Sequence, residues 1–520
     1  MKTLRSYVLG RWHEAASGFV PLVDPSTEAE IARVSSAGVD FGAVLDFARD
    51  HGGPALRGMS FGERGELLKA MSKALREHRD ELLELSRINT GTTLADGSFD
   101  VDGASGTLAY YASLARGLGD RSALVDGDGV QLARTEAFWG QHVLVPRPGA
   151  AVLINAFNFP VWGFAEKAAC ALLAGMPVIT KPATATAMVA ARAVEIVVEA
   201  GFLPTGALQL VCGATGDLLD RLGSQDVLAF TGSADTARKL RDRESFLVAN
   251  TRVNVEADSL NAAILGPDLA AGAAFDLFLQ DVAREMTQKS GQKCTAVRRV
   301  LVPAGHADAV AEALVERLSG VITGNPTAES VTMGPLSTAR QLADAESGVA
   351  ELLDNARLVH GSGRRADGVG AAQGKGFFFA PALLRADDPR AAGAVHRREV
   401  FGPVATLLPY DGTAAEAAEI AALGGGTLVT SVYSDDSGWI GDFLSRGASS
   451  TGRVYIGSES SSSAAPGSGV AMPQTLHGGP GRAGGGEELG GLAGLRLYMQ
   501  RVALQGSREM VEAVAGSEAG

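Results

Sequence analysis

The chain has 520 residues, 46 Lys and Arg against 59 Asp and Glu for a net charge of −13, and a composition 46% hydrophobic and 20% charged. One core stops growing at roughly 250–300 residues, so two or three domains are expected, and the composition is that of a folded globular chain rather than a disordered one. Excess acid without clustered Lys and Arg argues against nucleic acid or an anionic membrane as partner.

In chain order, residues 1–18 carry charge throughout and lack the apolar run of roughly 7–15 residues that a secretory signal needs. Between Phe61 and Asn89, the residues Leu67, Leu68, Met71, Ala74, Leu75, Leu82, Leu83 and Leu85 recur at three- and four-residue steps. That spacing predicts one amphipathic helix, which Gly91 ends. From Pro148 the texture changes. Apolar runs at 150–156, 177–180, 207–212, 227–230 and 253–256 alternate with helical patterns at 163–174 and 185–200. Alternating buried strands and crossover helices signal a parallel sheet in an α/β domain. A second series follows, with a long helix at 273–293 and strands at 298–302, 404–408, 428–433 and 454–456. Two α/β lobes joined near 256–261 are therefore expected.

The most apolar stretch, 150–165, is interrupted by Asn155, Asn158 and Pro160, so it does not read as a bilayer span. The segments 131–145 and 495–504 look strand-like without a crossover helix, so they pair with each other or with another subunit. Residues 458–486 are rich in Ser, Gly, Ala and Pro, a composition that suits a flexible linker and also a loop folded over a site.

Cys170, Cys212 and Cys294 form an odd set at long spacings with no C-x-x-C pair. Neither a disulfide framework nor a metal site is signalled, and a soluble cytoplasmic protein is expected. Cys170 and Cys212 sit in the apolar contexts CALL and LQLVC and read as small core residues. Cys294, in SGQKCTA, has polar neighbours that can hold a thiol exposed, and a thiolate is the strongest side-chain nucleophile near neutral pH. Glu256 ends the run TRVNVE, at the carboxyl end of a strand where α/β folds place ligands, though a solvated strand end reads the same. Asn158, in NAFNFP, can donate to an oxyanion or cap a turn. FTGS at 230–233 offers N–H groups and a hydroxyl at a helix start suited to phosphate, and Lys181, in TKPAT, supplies a cation after another strand.

Together these motifs resemble the aldehyde dehydrogenase superfamily along nearly the whole chain. The resembling elements are NAFNFP at 155–160, KPA at 181–183, FTGS at 230–233, Glu256, GQKCTA at 291–296 and EVFGPV at 399–404. The resemblance implies an aldehyde dehydrogenase fold. A Rossmann-like cofactor domain would occupy 1–130 and 146–256, and an α/β catalytic domain 257–475. A small β oligomerisation element would occupy 131–145 and 490–520, in a homodimer. It further implies that Cys294 attacks an aldehyde, that Asn158 stabilises the oxyanion, and that Glu256 activates the water that hydrolyses the thioester. Lys167 and Glu488 align with a proton-relay lysine and a late glutamate, where an exposed helix lysine and a loop acid would read the same. The cofactor-contacting set it implies is Ala156, Phe157, Lys181, Ala183, Thr184, Gly213, Thr231, Gly232, Ser233, Glu399 and Phe401.

Departures from the family pattern narrow the expectation. Many NAD-preferring members carry glutamate where Thr184 stands, and a carboxylate there would repel a 2′-phosphate that threonine and Lys181 can meet, so NADP is expected. After Glu256 the usual Leu-Gly-Gly-Lys is replaced by Ala-Asp-Ser-Leu, and 477–491 reads HGGPGRAGGGEELGG. Both resemble a branch that oxidises CoA-linked semialdehydes in aromatic degradation, and the additional hydratase domain of bifunctional relatives is expected to be absent. Two alternatives remain at this point. A CoA-acylating semialdehyde dehydrogenase generally lacks the base at Glu256. A cysteine hydrolase without nicotinamide would want an imidazole, and none of the eight His lies in a motif near Cys294 in sequence.

Overall fold

Short runs rich in Val, Leu and Ile build two seven-stranded sheets in the computed structural model, which describes residues 2–135 and 137–516. In the first sheet the order is Arg252–Glu256, Val227–Thr231, Ala151–Ile154, Val178–Lys181 and Leu208–Leu210, all parallel. The N-terminal hairpin of Ser6–Val8 and Arg11–His13 closes that sheet antiparallel to Leu208–Leu210. The second sheet runs Arg357–His360, Ala382–Arg385, Val404–Tyr410, Arg299–Pro303, Ala262–Leu265, Thr427–Tyr433 and Thr451–Gly457, and only its first strand is antiparallel. The first sheet ends at Glu256 and the second begins at Ala262, so residues 257–261 join the two lobes.

The segments 131–145 and 495–504 contribute to one three-stranded antiparallel sheet, formed by Leu124–Gln131, Trp139–Pro146 and Met499–Gly506. Residues 136 and 517–520 of the expected oligomerisation element lie outside the described residues. No helix among the described residues is long and apolar enough to cross a membrane.

The helical pattern at 61–89 is two helices, Phe61–Glu77 and Arg79–Thr90, with a break at His78. Apolar spacing continues in phase from Leu75 to Leu82, so the periodicity alone does not mark the break. A Ser60–Glu63 capping box starts the first helix, and Gly91, left-handed at φ 70°, ends the second. Leu68, Met71 and Leu75 are fully buried, and each such side chain contributes about 1.5–3 kcal/mol. Cys170 and Cys212 are buried in the same apolar cluster.

The helix Trp162–Leu173 crosses over the first sheet with nearly every residue buried. Its sequence is apolar all round, as a buried helix requires, except for the adjacent Glu166 and Lys167. Charges are almost never buried unless paired, so this pair marks a place where the core has been opened to chemistry.

Candidate active site

Local backbone geometry delivers the nucleophile. The helix expected over 273–293 stops at Thr287, because Lys289 and Ser290 take left-handed φ values of 52° and 56° and Gly291 follows at 67°. A Cβ on Gly291 would stand 2.2 Å from the Gly402 carbonyl oxygen, so only glycine passes there. This strained turn, of the kind that clusters at functional sites, leads directly to Cys294. Asn261 anchors the far side, donating to the carbonyls of Cys294 and Ala296 at 2.8 and 2.9 Å.

Cys294, Glu256, Asn158 and Lys167 line one cavity, walled on its apolar side by Phe99, Phe159 and Trp162. Asn158 is buried in the turn between the strand Ala151–Ile154 and the buried helix, whereas Asn155 is a structural tie that donates to Thr180 at 2.9 Å. Lys167 is no exposed helix lysine. Its Nζ lies 3.0 Å from Glu166 and 3.3 Å from Glu488, and Asn254 donates to the other Glu488 oxygen at 3.0 Å. Glu488 is therefore buried and positioned.

Residues 458–486 are not a linker. Leu476–Gly478 pairs antiparallel with Glu487–Leu489, setting His477 opposite Glu488. Gly486 donates to the Val255 carbonyl at 3.1 Å and Ala257 donates to the Ala483 carbonyl at 3.0 Å, so the loop clamps the end of the strand that carries Glu256. A Cβ on Gly484 would meet that same Val255 oxygen at 2.2 Å, which accounts for the glycine-rich composition. The clamp places His477 Nε2 3.8 Å from Cys294 Sγ and 3.3 Å from Glu256 Oε2. No histidine lies near Cys294 in the sequence, yet the fold makes adjacent two partners that 183 residues of chain separate. Glu166 and Asn254 were likewise passed over as functional residues, and the one signal for Glu166 is its charge inside an apolar helix.

The electrostatics divide the groups. Burial pushes the Cys294 thiol up, and the Glu256, Glu166 and Glu399 carboxylates push it further. Burial alone would raise the Glu256 carboxyl, but His477 and Lys167 outweigh it and hold it at about 2. Burial raises Glu488 and the Glu166 and Glu256 carboxylates add to it, and against Lys167 and His477 it is pushed up to about 7. Burial lowers Lys167, but Glu488, Glu166 and Glu256 overcompensate and raise it. Carboxyls in one site whose affinities for a proton are driven apart take different roles, one a permanent carboxylate and the other a group that exchanges a proton near neutrality.

Most of the expected cofactor residues follow the carboxyl ends of strands in the first sheet, whereas Glu399 and Phe401 precede the strand Val404–Tyr410 of the second. Ala156 and Thr231 face the same cavity as Cys294, and the Thr231 hydroxyl is buried without a protein partner. Phe157 and Phe401 meet edge to face at 5.8 Å, with the Arg298 guanidinium 5.3 Å over the Phe401 ring. Glu399 sits 3.4 Å from Arg298 and accepts from the Ser259 N–H, and burial raises it to about 7. Lys181 ends its strand half-buried and pairs with no acid among the described residues, and desolvation lowers its pKa. Ala183 and Thr184 follow at the turn. Gly213, at φ 122°, packs so tightly on 35–36 that a Cβ would stand 2.5 Å from the Ser36 nitrogen. Gly232 precedes Ser233, whose hydroxyl caps the helix Ala234–Arg241 through Thr236. Of the N–H groups at this helix start, that of Ala234 donates to Asp258 at 2.9 Å. The unpaired Lys181 ammonium and the orphaned Thr231 hydroxyl fit an anionic dinucleotide along this edge.

Comparison with known proteins agrees with this geometry. The model of the Aldehyde dehydrogenase family matches residues 12–503. A 3,4-dehydroadipyl-CoA semialdehyde dehydrogenase from Aromatoleum evansii is 47% identical over 478 residues, covering 92% of this chain and 93% of that one. The Escherichia coli succinate-semialdehyde dehydrogenase [NADP(+)] GabD is 27% identical over 412 residues, 78% of this chain and 80% of that one. Among solved structures, betaine aldehyde dehydrogenase from Staphylococcus aureus in complex with NAD+ superposes with a TM-score of 0.83 at 25% identity, covering 97% of this chain and 95% of that one.

Proposed function

The chain belongs to the aldehyde dehydrogenase family, and on that premise we propose that it oxidises a CoA-linked semialdehyde, of the 3,4-dehydroadipyl-CoA semialdehyde type, to the free acid with NADP. The observation that carries this reading is the Glu256 carboxylate beside Cys294 in a cavity that also holds Asn158. Cys294 attacks the aldehyde carbon, and the Asn158 amide meets the oxygen as it becomes negative. Lys181, Thr184 and Glu399 would hold a nicotinamide dinucleotide, which when bound would supply the hydride acceptor. Glu256, ionised across the neutral range, then takes a proton from the water that attacks the Cys294 thioester. Glu488 and Lys167 form the buried route by which that proton leaves.

The substrate class rests on the 47% identity to a 3,4-dehydroadipyl-CoA semialdehyde dehydrogenase and on the small residues Gly469 and Ala471 at the cavity wall. NADP is favoured by Thr184 and by the unpaired Lys181 cation. Steady-state absorbance assays are expected to give a higher kcat/KM with NADP than with NAD. They are also expected to give a higher kcat/KM with a CoA-linked semialdehyde than with succinate semialdehyde. The reverse order in either comparison removes that part of the proposal. A second reading, a cysteine hydrolase, gains an imidazole from His477, and hydrolysis of thioesters without any aldehyde oxidation would favour it.

A further inference from the structure

Three chemically different donors meet in the active cavity: a thiol, an imidazole and a carboxylate. Cys294 Sγ lies 3.8 Å from His477 Nε2, which in turn lies 3.3 Å from Glu256 Oε2. The thiol also hydrogen-bonds the Glu256 carboxylate, and one ligand atom from each residue falls within 4.8 Å of the other two. The backbone fixes all three. Glu256 ends the strand Arg252–Glu256, His477 is held by the pairing of Leu476–Gly478 with Glu487–Leu489, and the Cys294 carbonyl is tied to Asn261.

These separations match the edges of a tetrahedron around Zn²⁺. Zinc binds thiolate sulfur at about 2.3 Å and imidazole nitrogen or carboxylate oxygen at about 2.0–2.1 Å. At a tetrahedral angle, sulfur and nitrogen then stand about 3.5 Å apart and nitrogen and oxygen about 3.3 Å. The nitrogen–oxygen edge already has that length, and the sulfur–nitrogen edge closes by about 0.3 Å. Thiolate with imidazole also selects zinc over magnesium or calcium, which prefer oxygen alone.

Two further observations favour a cation at this point. Glu256 Oε1 is buried without a hydrogen-bond partner. The Glu256, Glu166 and Glu399 carboxylates disfavour a bare thiolate, and a divalent ion beside the sulfur reverses that effect. Glu166, Glu256 and Glu488 also converge, but the Lys167 ammonium, 3.0 Å from Glu166 and 3.3 Å from Glu488, already supplies the cation there.

We propose that Cys294, His477 and Glu256 form a three-ligand site for Zn²⁺ whose fourth position opens to the cavity. As the Zn–S bond forms, the S–H bond breaks and its proton leaves to solvent, with no change of oxidation state. The Cys294 thiol is only partly buried, so an ion can reach it. Zinc then occupies both the sulfur that attacks the aldehyde and the carboxylate that activates water. Metal and aldehyde exclude each other, and the loaded protein is held inactive until a chelator removes the ion. This inhibition rests on the proposed aldehyde oxidation, whereas the site itself rests on geometry and donor chemistry.

The test titrates the full chain, freed of metal by chelation, with Co²⁺ in the absence of nicotinamide and aldehyde. Tetrahedral Co²⁺ should give intense visible bands and a near-ultraviolet sulfur-to-cobalt band, both erased by Zn²⁺, which binds more tightly. Cys294→Ala should remove the sulfur band. By equilibrium dialysis, His477→Asn and Glu256→Gln should each weaken zinc binding about a hundredfold or more, since even outer partners of metal ligands are worth about 10–100-fold. Circular dichroism identifies which variant keeps its fold, and the cobalt spectrum of the parent stands without either. Absence of the sulfur-to-cobalt band in the parent overturns the proposal. So does zinc bound by a folded His477→Asn or Glu256→Gln as tightly as by the parent, which would be capture by a lone thiol. One equivalent of zinc should abolish aldehyde oxidation and a chelator restore it, and undiminished oxidation at full occupancy contradicts the exclusion. Aldehyde oxidation without zinc binding would sink this proposal alone, and zinc binding without aldehyde oxidation would sink only the proposed function.

Discussion

Replacing Cys294 with alanine is expected to lower aldehyde oxidation by about 10⁴-fold or more, the largest effect of any single substitution in the molecule. Every other group in the cavity serves the sulfur. Asn158 is aimed at an oxyanion that exists only after the sulfur attacks, and Glu256 acts on a thioester that exists only after oxidation. Without the thiol the remaining groups bind and polarise an aldehyde but have no bond to make. The thiol is only partly buried, and its loop is tied by Asn261 through backbone carbonyls, so the exchange should leave the fold intact. Reduced-nicotinamide absorbance at high enzyme concentration measures the residue's share directly. Activity within tenfold of the parent would remove the nucleophile assignment.

Glu256→Gln should separate the two halves of the reaction. The amide is nearly isosteric and keeps a hydrogen-bonding contact toward His477, but it cannot take a proton from water. Turnover should fall about 10²–10⁴-fold, the usual contribution of a general base. Oxidation of the first equivalent should persist, so rapid mixing should show a burst of about one reduced nicotinamide per active site. Intact-protein mass should then show an acyl group on Cys294. Lys167 keeps Glu166 and Glu488 as counter-charges, so the substitution does not strand a buried ammonium. Loss of the burst together with turnover would mean that Glu256 is needed before the thioester forms.

These expectations show what a sequence alone conveys here. The alternation of apolar runs with helical patterns announced the parallel strands at the centre of both sheets, because period and burial are local properties. Cys294, Glu256 and Asn158 were legible as motif residues, each at a strand end or turn where the chain must change direction. His477 was not, since its role comes from pairing with Glu487–Leu489 and from contact with a residue 183 positions away, neither of which leaves a local trace. The glycine-rich stretch left a linker and a loop over the site equally open for a related reason. Gly484 and Gly486 are small because they lie against the backbone of Val255, a packing demand that composition cannot distinguish from chain flexibility. The hydrogen bond at the next helix start, from the Ala234 N–H to Asp258, is a contact of the same non-local kind.

The most direct test of the central claim, that Cys294 forms a thioester which Glu256-activated water resolves, is product analysis after turnover in water enriched in heavy oxygen. The account predicts the free acid as product, with one solvent-derived oxygen in its new carboxylate and no consumption of added CoA. A new acyl-CoA in place of the acid, formed without solvent oxygen, would contradict it.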